Sequence, residues 1–381
     1  MFIDLGYELK ACNKLKNDDR DDEFLVSRII FLTTYGSNVN IEKLIDQYHL
    51  AENICINISR HAKLFVIKQK EDKELDPMED MALIESLKLL FNLASRCPQR
   101  SIAFSPALPY ILLILQRRPI SSSKPLEPPI GSLVNSLLNI PLETKGSDSK
   151  LFPKDIPLIN VDCLLEILRK GMTVYEDDDL EQLVSPLLAL IWKVYEIAPK
   201  DIQCHMRDAV LPSDEDRKQV LGQTESLSGR LLRLSTNLST PSLRKSISLL
   251  LFEMSGKDAR ALVQNVGYGF ASGLLLQQNI PIPENALEAW STSESEGSGA
   301  SVGNRITQEN GASKESQKPI TGKGSMNPIT GQRKEFETKV EEPEMTQEEK
   351  EREAEKLFVL FERYVLSTPL EDSPELRIFC K

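Results

Sequence analysis

Leucine, isoleucine, valine and phenylalanine recur at helical spacing from Phe24 to Gln278, interrupted by short polar stretches. Apolar residues at i, i+3, i+4 and i+7 form one face of an α-helix, whereas the strict alternation of a half-buried strand is scarce here. The pattern predicts helices over Phe24–Tyr35, Val39–Ser59, Met81–Arg96, Tyr110–Arg117, Ser132–Ile140, Val161–Lys170, Leu180–Ile197, Leu227–Leu238 and Ser242–Met254. Start signals agree with it. Thr240-Pro241 places a capping residue before a proline at the first helical position. Asp177-Asp178-Asp179 puts negative charge where a helix amino end prefers it.

Several of these helices are apolar on more than one side. In Met81–Arg96 one stripe is Ile84, Leu87, Phe91 and Ala94, and a second contains Leu83, Leu90 and Leu93. A helix with two apolar stripes needs neighbours on two sides. Its third face carries Glu85, Lys88 and Asn92, which share one side by their spacing. Stacked helix pairs meet that demand.

A repeat supports stacking. Leu90-Phe91-Asn92-Leu93-Ala94 resembles Leu137-Leu138-Asn139-Ile140-Pro141, Val194-Tyr195-Glu196-Ile197-Ala198 and Leu251-Phe252-Glu253-Met254-Ser255. The polar member falls at 92, 139, 196 and 253, with spacings of 47, 57 and 57. Armadillo and HEAT repeats run to about 40–47 residues. Loops rich in Pro, Ser, Lys and Asp at Pro119–Pro129 and Leu142–Pro157 lengthen the period. The expected fold is therefore all-α: an armadillo/HEAT-like α-solenoid over residues 1–283.

Beyond Pro283 the composition changes. Ser291–Lys334 is rich in Ser, Gly, Thr, Glu, Asn and Lys and poor in apolar residues. Such a segment buries too little surface to order itself, so 284–344 is expected as a disordered linker. A carboxy-terminal amphipathic helix and tail follow over 345–381. Thr346-Gln347-Glu348-Glu349 is a capping box. Leu357, Leu360, Phe361 and Tyr364 then form one apolar face, which needs a surface to dock on.

The net charge of -11 argues against a phosphate backbone as ligand. A protein partner is expected, and no nucleic acid. The six cysteines form no C-x-x-C pair and mostly lie in apolar helical patterns, which fits free thiols in a reducing compartment. The amino end lacks the pattern of a signal peptide, and no apolar run reaches the roughly 18 residues of a membrane span. A cytoplasmic monomer is expected.

Motifs for bond-making chemistry are missing. His49, His61 and His205 lie far apart at no metal-ligand spacing. Gly299-Ala300-Ser301-Val302-Gly303 matches a nucleophile elbow but lies in the linker, without the strand–turn–helix setting that motif requires. Asn265–Leu276 holds glycines at 267, 269 and 273, yet Ser272 stands where a dinucleotide fingerprint needs its third glycine. The run reads as close packing at the end of the array, sealed by Tyr268 and Leu274–Leu276. No cofactor, no metal and no enzymatic site are expected. Ser291–Glu296 alternates hydroxyls with acids, a pattern typical of acidophilic-kinase acceptors.

Five stretches carry a resemblance. They are Phe24–Thr33, Ile84–Ala94 with Leu133–Leu142, Asp208-Ala209-Val210-Leu211-Pro212, Val266-Gly267-Tyr268-Gly269, and Asn327-Pro328-Ile329-Thr330-Gly331 followed by Met345–Glu351. In this order they resemble the synembryn family (resistance to inhibitors of cholinesterase proteins), in a fungal member that begins inside the family's pattern, short of its amino-end helices. The resemblance implies a guanine-nucleotide exchange factor and folding chaperone for heterotrimeric G-protein α subunits. The concave face of the solenoid would grip the α subunit's carboxy-terminal helix. The helix carrying Leu357, Leu360, Phe361 and Tyr364 would hold the Ras-like domain open. Phosphorylation of the acidic linker would fall on Ser293 or Ser295. Recruitment to the cell cortex would come through the partner. Expected groove residues are Glu85, Lys88, Asn92, Asn135 and Asn139, with Arg230 and Arg233 meeting the partner's carboxylates. The alternative is an armadillo-like adaptor that binds peptides without promoting exchange.

Overall fold

The computed structural model describes residues 7–36, 39–73, 76–143, 149–281 and 326–337, together with Arg352, Glu355 and Lys356. Met1–Phe336 forms one unit and Glu337–Lys381 a second. In the second unit Arg352, Glu355 and Lys356 are helical. Leu357, Leu360, Phe361 and Tyr364, like Ser293 and Ser295, lie outside the described residues.

Among the described residues of the first unit the regular elements are helices, and no strand occurs. Its helices are α1 (Tyr7–Lys14), α2 (Arg20–Thr34), α3 (Ile41–Asp46), α4 (Leu50–Lys70), α5 (Pro77–Arg96), α6 (Leu108–Arg117), α7 (Ile130–Asn139), α8 (Ile159–Val174), α9 (Asp177–Ile197), α10 (Lys200–Val210), α11 (Leu227–Ser235), α12 (Pro241–Met254), α13 (Ala259–Val266) and α14 (Tyr268–Gln277). They stack in two rows. In one row α2 packs on α5, α5 on α7, α7 on α9, α9 on α12 and α12 on α14. In the other α4 packs on α6, α6 on α8 and α8 on α11. The rows meet through α4–α5, α6–α7, α8–α9 and α11–α12. This is an armadillo/HEAT-like α-solenoid, in which each repeat touches mainly its neighbours. The polar repeat positions 92, 139, 196 and 253 fall on α5, α7, α9 and α12, the successive helices of the first row.

The two-stripe reading of α5 explains the core. Leu83, Leu87, Leu90 and Leu93 are all buried, with Leu89 beside them, so α5 is covered on several sides at once. Phe91, placed in a core stripe from its spacing, is 37% exposed instead. Leu276, expected to seal the last repeat, is 65% exposed, while Leu274 and Leu275 are buried.

Local chemistry shifts some boundaries. The single helix expected over Val39–Ser59 is two, because His49 adopts a left-handed conformation (φ 54°) that no helix interior tolerates. The second of them, α4, continues to Lys70. Helix α2 starts four residues before Phe24, where the Asp19 carboxylate accepts from the N–H groups of Asp21 and Asp22. Helix α12 starts at Pro241 as expected, but Thr240 makes no side-chain cap and its buried hydroxyl has no partner. Glu181 of α9 does the capping, accepting from the Ser242 N–H at 2.7 Å.

Cys12, Cys55, Cys97, Cys163 and Cys204 are all free. Burial pushes the thiols of Cys12 and Cys55 up to about 12 and that of Cys163 to about 11. The thiolate is the reactive form. Iodoacetamide at pH 8 should therefore label exposed Cys204 in the native chain and leave Cys12 and Cys55 unlabelled until denaturant is added. Peptide mass mapping reads the result.

Candidate partner-binding face and a docked tail segment

The last four carbonyls of a helix have no partner within it. In this array polar side chains of one helix reach groups at or near the end of the helix before it in the row. Asn92 of α5 donates to the Thr34 hydroxyl at the end of α2. Asn139 of α7 donates to the Phe91 carbonyl of α5 at 3.3 Å. Lys193 of α9 donates to the Leu138 and Ile140 carbonyls at 2.9 and 2.8 Å, and burial pushes its ammonium pKa down. Asn92 and Asn139 were expected to offer their amides to a bound peptide. Their side chains instead tie each helix to the one before it.

Glu85 departs from expectation in the same way. It is 3% exposed, facing Arg28 of α2 at 3.4 Å and Lys88 at 2.8 Å. Its place is in the α2–α5 seam, not on an open face, because α2 covers the side of α5 that carries it. Lys88 remains reachable, with 42% of its side chain exposed, and Asn135 is half-buried on α7. Arg230 pairs with Asp177 at 3.1 Å. Arg233 donates to the Gly222 and Thr224 carbonyls at 2.8 Å each and faces Glu225 at 3.4 Å. Both arginines are engaged within the fold, one fastening α11 to α9 and the other closing the loop before α11.

Two features went unread in the sequence. The first is an apolar stripe on α2. Leu25, Ile29, Leu32 and Tyr35 are 55, 45, 59 and 66% exposed. They lie opposite Val26, Ser27, Ile30 and Thr34, the face buried toward α5. Scattered exposed apolar residues are ordinary, whereas a continuous stripe marks a protein contact surface. Its signal in the sequence is the spread of apolar residues over more than one side of Phe24–Thr33.

The second is a buried ionic cluster joining α2, α4 and α5. The Glu23 carboxylate, 1% exposed, contacts Arg60, His61 Nε2 at 3.0 Å and the Ser86 hydroxyl at 2.5 Å. His61 Nδ1 faces Glu79 at 3.2 Å. Burial works to raise the Glu23 pKa, and the contacts with His61, Ser86 and Arg60 outweigh it and hold the group below its ordinary value.

At the far end of the array the chain returns to itself. Residues 326–336 lie on the start of α14 and on the loop before α11. The N–H groups of Tyr268 and Gly269, orphan donors at the α14 amino end, donate to the Pro328 and Ile329 carbonyls at 2.7 and 3.1 Å. Leu221 N–H donates to the Thr330 carbonyl at 3.3 Å, and Arg217 Nη1 to the Gly331 carbonyl at 3.2 Å. Arg217 is buried and also holds the Asn265 carbonyl at 2.8 Å. Next to it, Asp216 accepts from the hydroxyls of Ser213, Thr224, Ser226 and Ser228. Burial raises the Asp216 carboxyl, but these hydrogen bonds, Ser226 first, hold it well below the usual carboxylate range. The stretch 284–344, expected as linker throughout, thus contains a segment fastened to the array. The carbonyls of Pro328 to Gly331 each accept a hydrogen bond from the array. Nothing in the composition of Asp216-Arg217 or Gln332-Arg333 marks them in advance.

The architecture is that of a helical-repeat protein of the armadillo class whose last repeat is completed by a returning segment. The family model described as guanine nucleotide exchange factor synembryn matches residues 1–368. The chain belongs to the synembryn family. A synembryn-like chaperone of Schizosaccharomyces pombe is 27% identical over 293 residues, covering 74% of this chain and 52% of that protein. The chaperone Ric-8A of Bos taurus is 25% identical over 323 residues, 80% and 56% of the respective chains. The chaperone Ric-8A of Xenopus laevis is 25% identical over 302 residues, 75% and 51%. The chain spans about half the length of these curated relatives. Among the described residues no helix is long and apolar enough to cross a membrane.

Three measurements follow. Glu23→Ala leaves Arg60 and His61 facing a vacated buried site and should cost about 3–5 kcal/mol in a denaturant melt. A carboxyl whose folded pKa is depressed stabilises the fold above its unfolded value of about 4.3 and loses that contribution as pH falls through the folded value. Acid unfolding followed by circular dichroism should accordingly be shallower in Glu23→Gln than in the wild type below about pH 4.3. Asn139→Ala, which removes one inter-repeat hydrogen bond, should cost about 1 kcal/mol.

Proposed function

We propose that this chain is a folding chaperone and guanine-nucleotide exchange factor for the α subunits of heterotrimeric G proteins. It binds the nucleotide-free or GDP form and promotes GDP release. Membership of the synembryn family across residues 1–368 carries the reading. The names of the Schizosaccharomyces and Bos relatives, both chaperones, support it.

The physical chemistry supports it as well. Exchange requires no catalytic side chain, only tighter binding of the nucleotide-free state than of the GDP state. An extended repeat surface is suited to gripping one element of another protein. The α2 stripe of Leu25, Ile29, Leu32 and Tyr35 provides an apolar face for an amphipathic helix, and Lys88 of α5 provides a reachable charge elsewhere on the array. The helix carrying Leu357, Leu360, Phe361 and Tyr364 is assigned a second contact, and Ser293 and Ser295 are assigned as phosphate acceptors. A chain tethered at two contacts gains affinity through effective concentration. On this reading the chain acts as a monomer in the cytoplasm and reaches the cell cortex through its partner.

The test is release of labelled GDP from a Gα subunit with and without this chain, alongside the yield of folded Gα in a cell-free translation. Acceleration of release or a gain in yield is expected, with both reduced in Ile29→Asp. Binding of Gα without either effect would make the chain a peptide-binding adaptor.

A further inference from the structure

The contacts of residues 326–333 are those of a bound peptide, not of a loop lying on a surface. Four consecutive carbonyls, Pro328 to Gly331, each accept from a donor of the array: Tyr268 N–H, Gly269 N–H, Leu221 N–H and the Arg217 guanidinium. Two carbonyls of the array accept in return. The Arg217 carbonyl takes the Arg333 N–H at 2.9 Å, and the Lys218 carbonyl takes Gln332 Nε2 at 3.1 Å. Main-chain recognition of this kind supplies affinity in peptide complexes.

The segment also holds its own shape. The Asn327 side-chain oxygen accepts from the Ile329 N–H at 2.8 Å and the Thr330 N–H at 3.3 Å. The Gly331 N–H returns to the Asn327 carbonyl at 2.9 Å, and the Asn327 N–H to the Gln332 carbonyl at 2.8 Å. A turn closed by its own asparagine loses less entropy on docking. The fit is close on both sides. Gly267 has φ 77°, and a Cβ there would stand 2.8 Å from the Ile329 carbonyl oxygen. Gly331 has φ 68°, and its Cβ would stand 2.3 Å from Leu221 Cδ1. Arg333 adds an ion pair with Asp214 at 2.5 Å.

We propose that the Arg217–Leu221 loop and the Gly267–Gly269 helix start form a peptide-binding site in their own right. Its ligand is a turn of sequence Asn-Pro-Xaa-Thr-Gly, and residues 326–333 occupy it as an intramolecular ligand. The array holds this segment through non-covalent contacts sufficient to retain it without the chain that leads to it. Specificity comes from the asparagine that closes the turn and from the glycine that admits the array at its end.

The experiment cuts the covalent connection in the full chain. A protease recognition sequence is inserted between residues 300 and 310, outside the described residues, and the purified protein is cleaved. Gel filtration at about 10 μM, where a Kd at or below about 5 μM keeps half or more of an equimolar complex together, should show residues 311–381 co-eluting with the array. A synthetic peptide of residues 326–337 added in excess should displace the fragment, and the same peptide with Asn327→Ala should be weaker by about tenfold or more. The Asn327→Ala change lies on the ligand and leaves the array intact. In the uncut chain, hydrogen exchange at the Tyr268 and Gly269 amides should rise at least about tenfold in Asn327→Ala, because their acceptors are withdrawn. Loss of the fragment from the cut wild-type chain would overturn the proposal. So would retention that the 326–337 peptide cannot compete, or equal competition by both peptides.

Discussion

Helix ends are the constraint on which this array rests. Fourteen helices create many free carbonyls and N–H groups among the described residues. A buried polar group left without a partner costs about 1–3 kcal/mol, more than a typical hydrogen bond returns. The chain meets this by letting one helix cap another. Asn53 and Asn57 of α4 donate to the Cys12 and Leu15 carbonyls at the end of α1. The Cys163 thiol of α8 reaches the Leu115 carbonyl of α6, and Glu181 of α9 receives the Ser242 N–H of α12. These contacts fix the register of neighbouring helices, which apolar burial alone, being non-directional, leaves free.

The same constraint explains why polar residues chosen as a partner face were mostly spent inside the fold. Asn92, Asn139 and Lys193 reach back to the helix before their own in the row, to the Thr34 hydroxyl, the Phe91 carbonyl and the Leu138 carbonyl. Arg230 and Arg233 serve Asp177 and the 222–224 carbonyls. What stays open includes an apolar face, the α2 stripe of Leu25, Ile29, Leu32 and Tyr35. An apolar face on a soluble array is costly to leave in water and gains most from a partner.

The architecture was legible because hydrophobic spacing reports helices directly, and because double-sided helices such as α5 demand stacking. The repeat positions 92, 139, 196 and 253 do land on successive helices of one row. The break at His49 was not legible, since a left-handed residue other than glycine has no compositional mark. Nor was the burial of Glu85, because helical spacing shows which residues share a face but not which neighbour covers it. The glycines at 267 and 269 were noticed, and close approach was their assigned role. The approaching group, the Ile329 and Thr330 backbone, comes from 60 residues further along, a distance over which local pattern carries no information.

That separation gives the synthesis of the chain a particular order. Helix α14 leaves the ribosome with the Tyr268 and Gly269 donors unmatched, and Gly331 follows Gly267 by 64 residues. At about 5–20 residues per second the delay is roughly 3–13 s. During that interval the array is one segment short of its final form. A polypeptide that stops before Met326 lacks the acceptors of the Tyr268 and Gly269 amides. The last helix of the array therefore gains its amino-terminal acceptors only after the segment that carries them has been made.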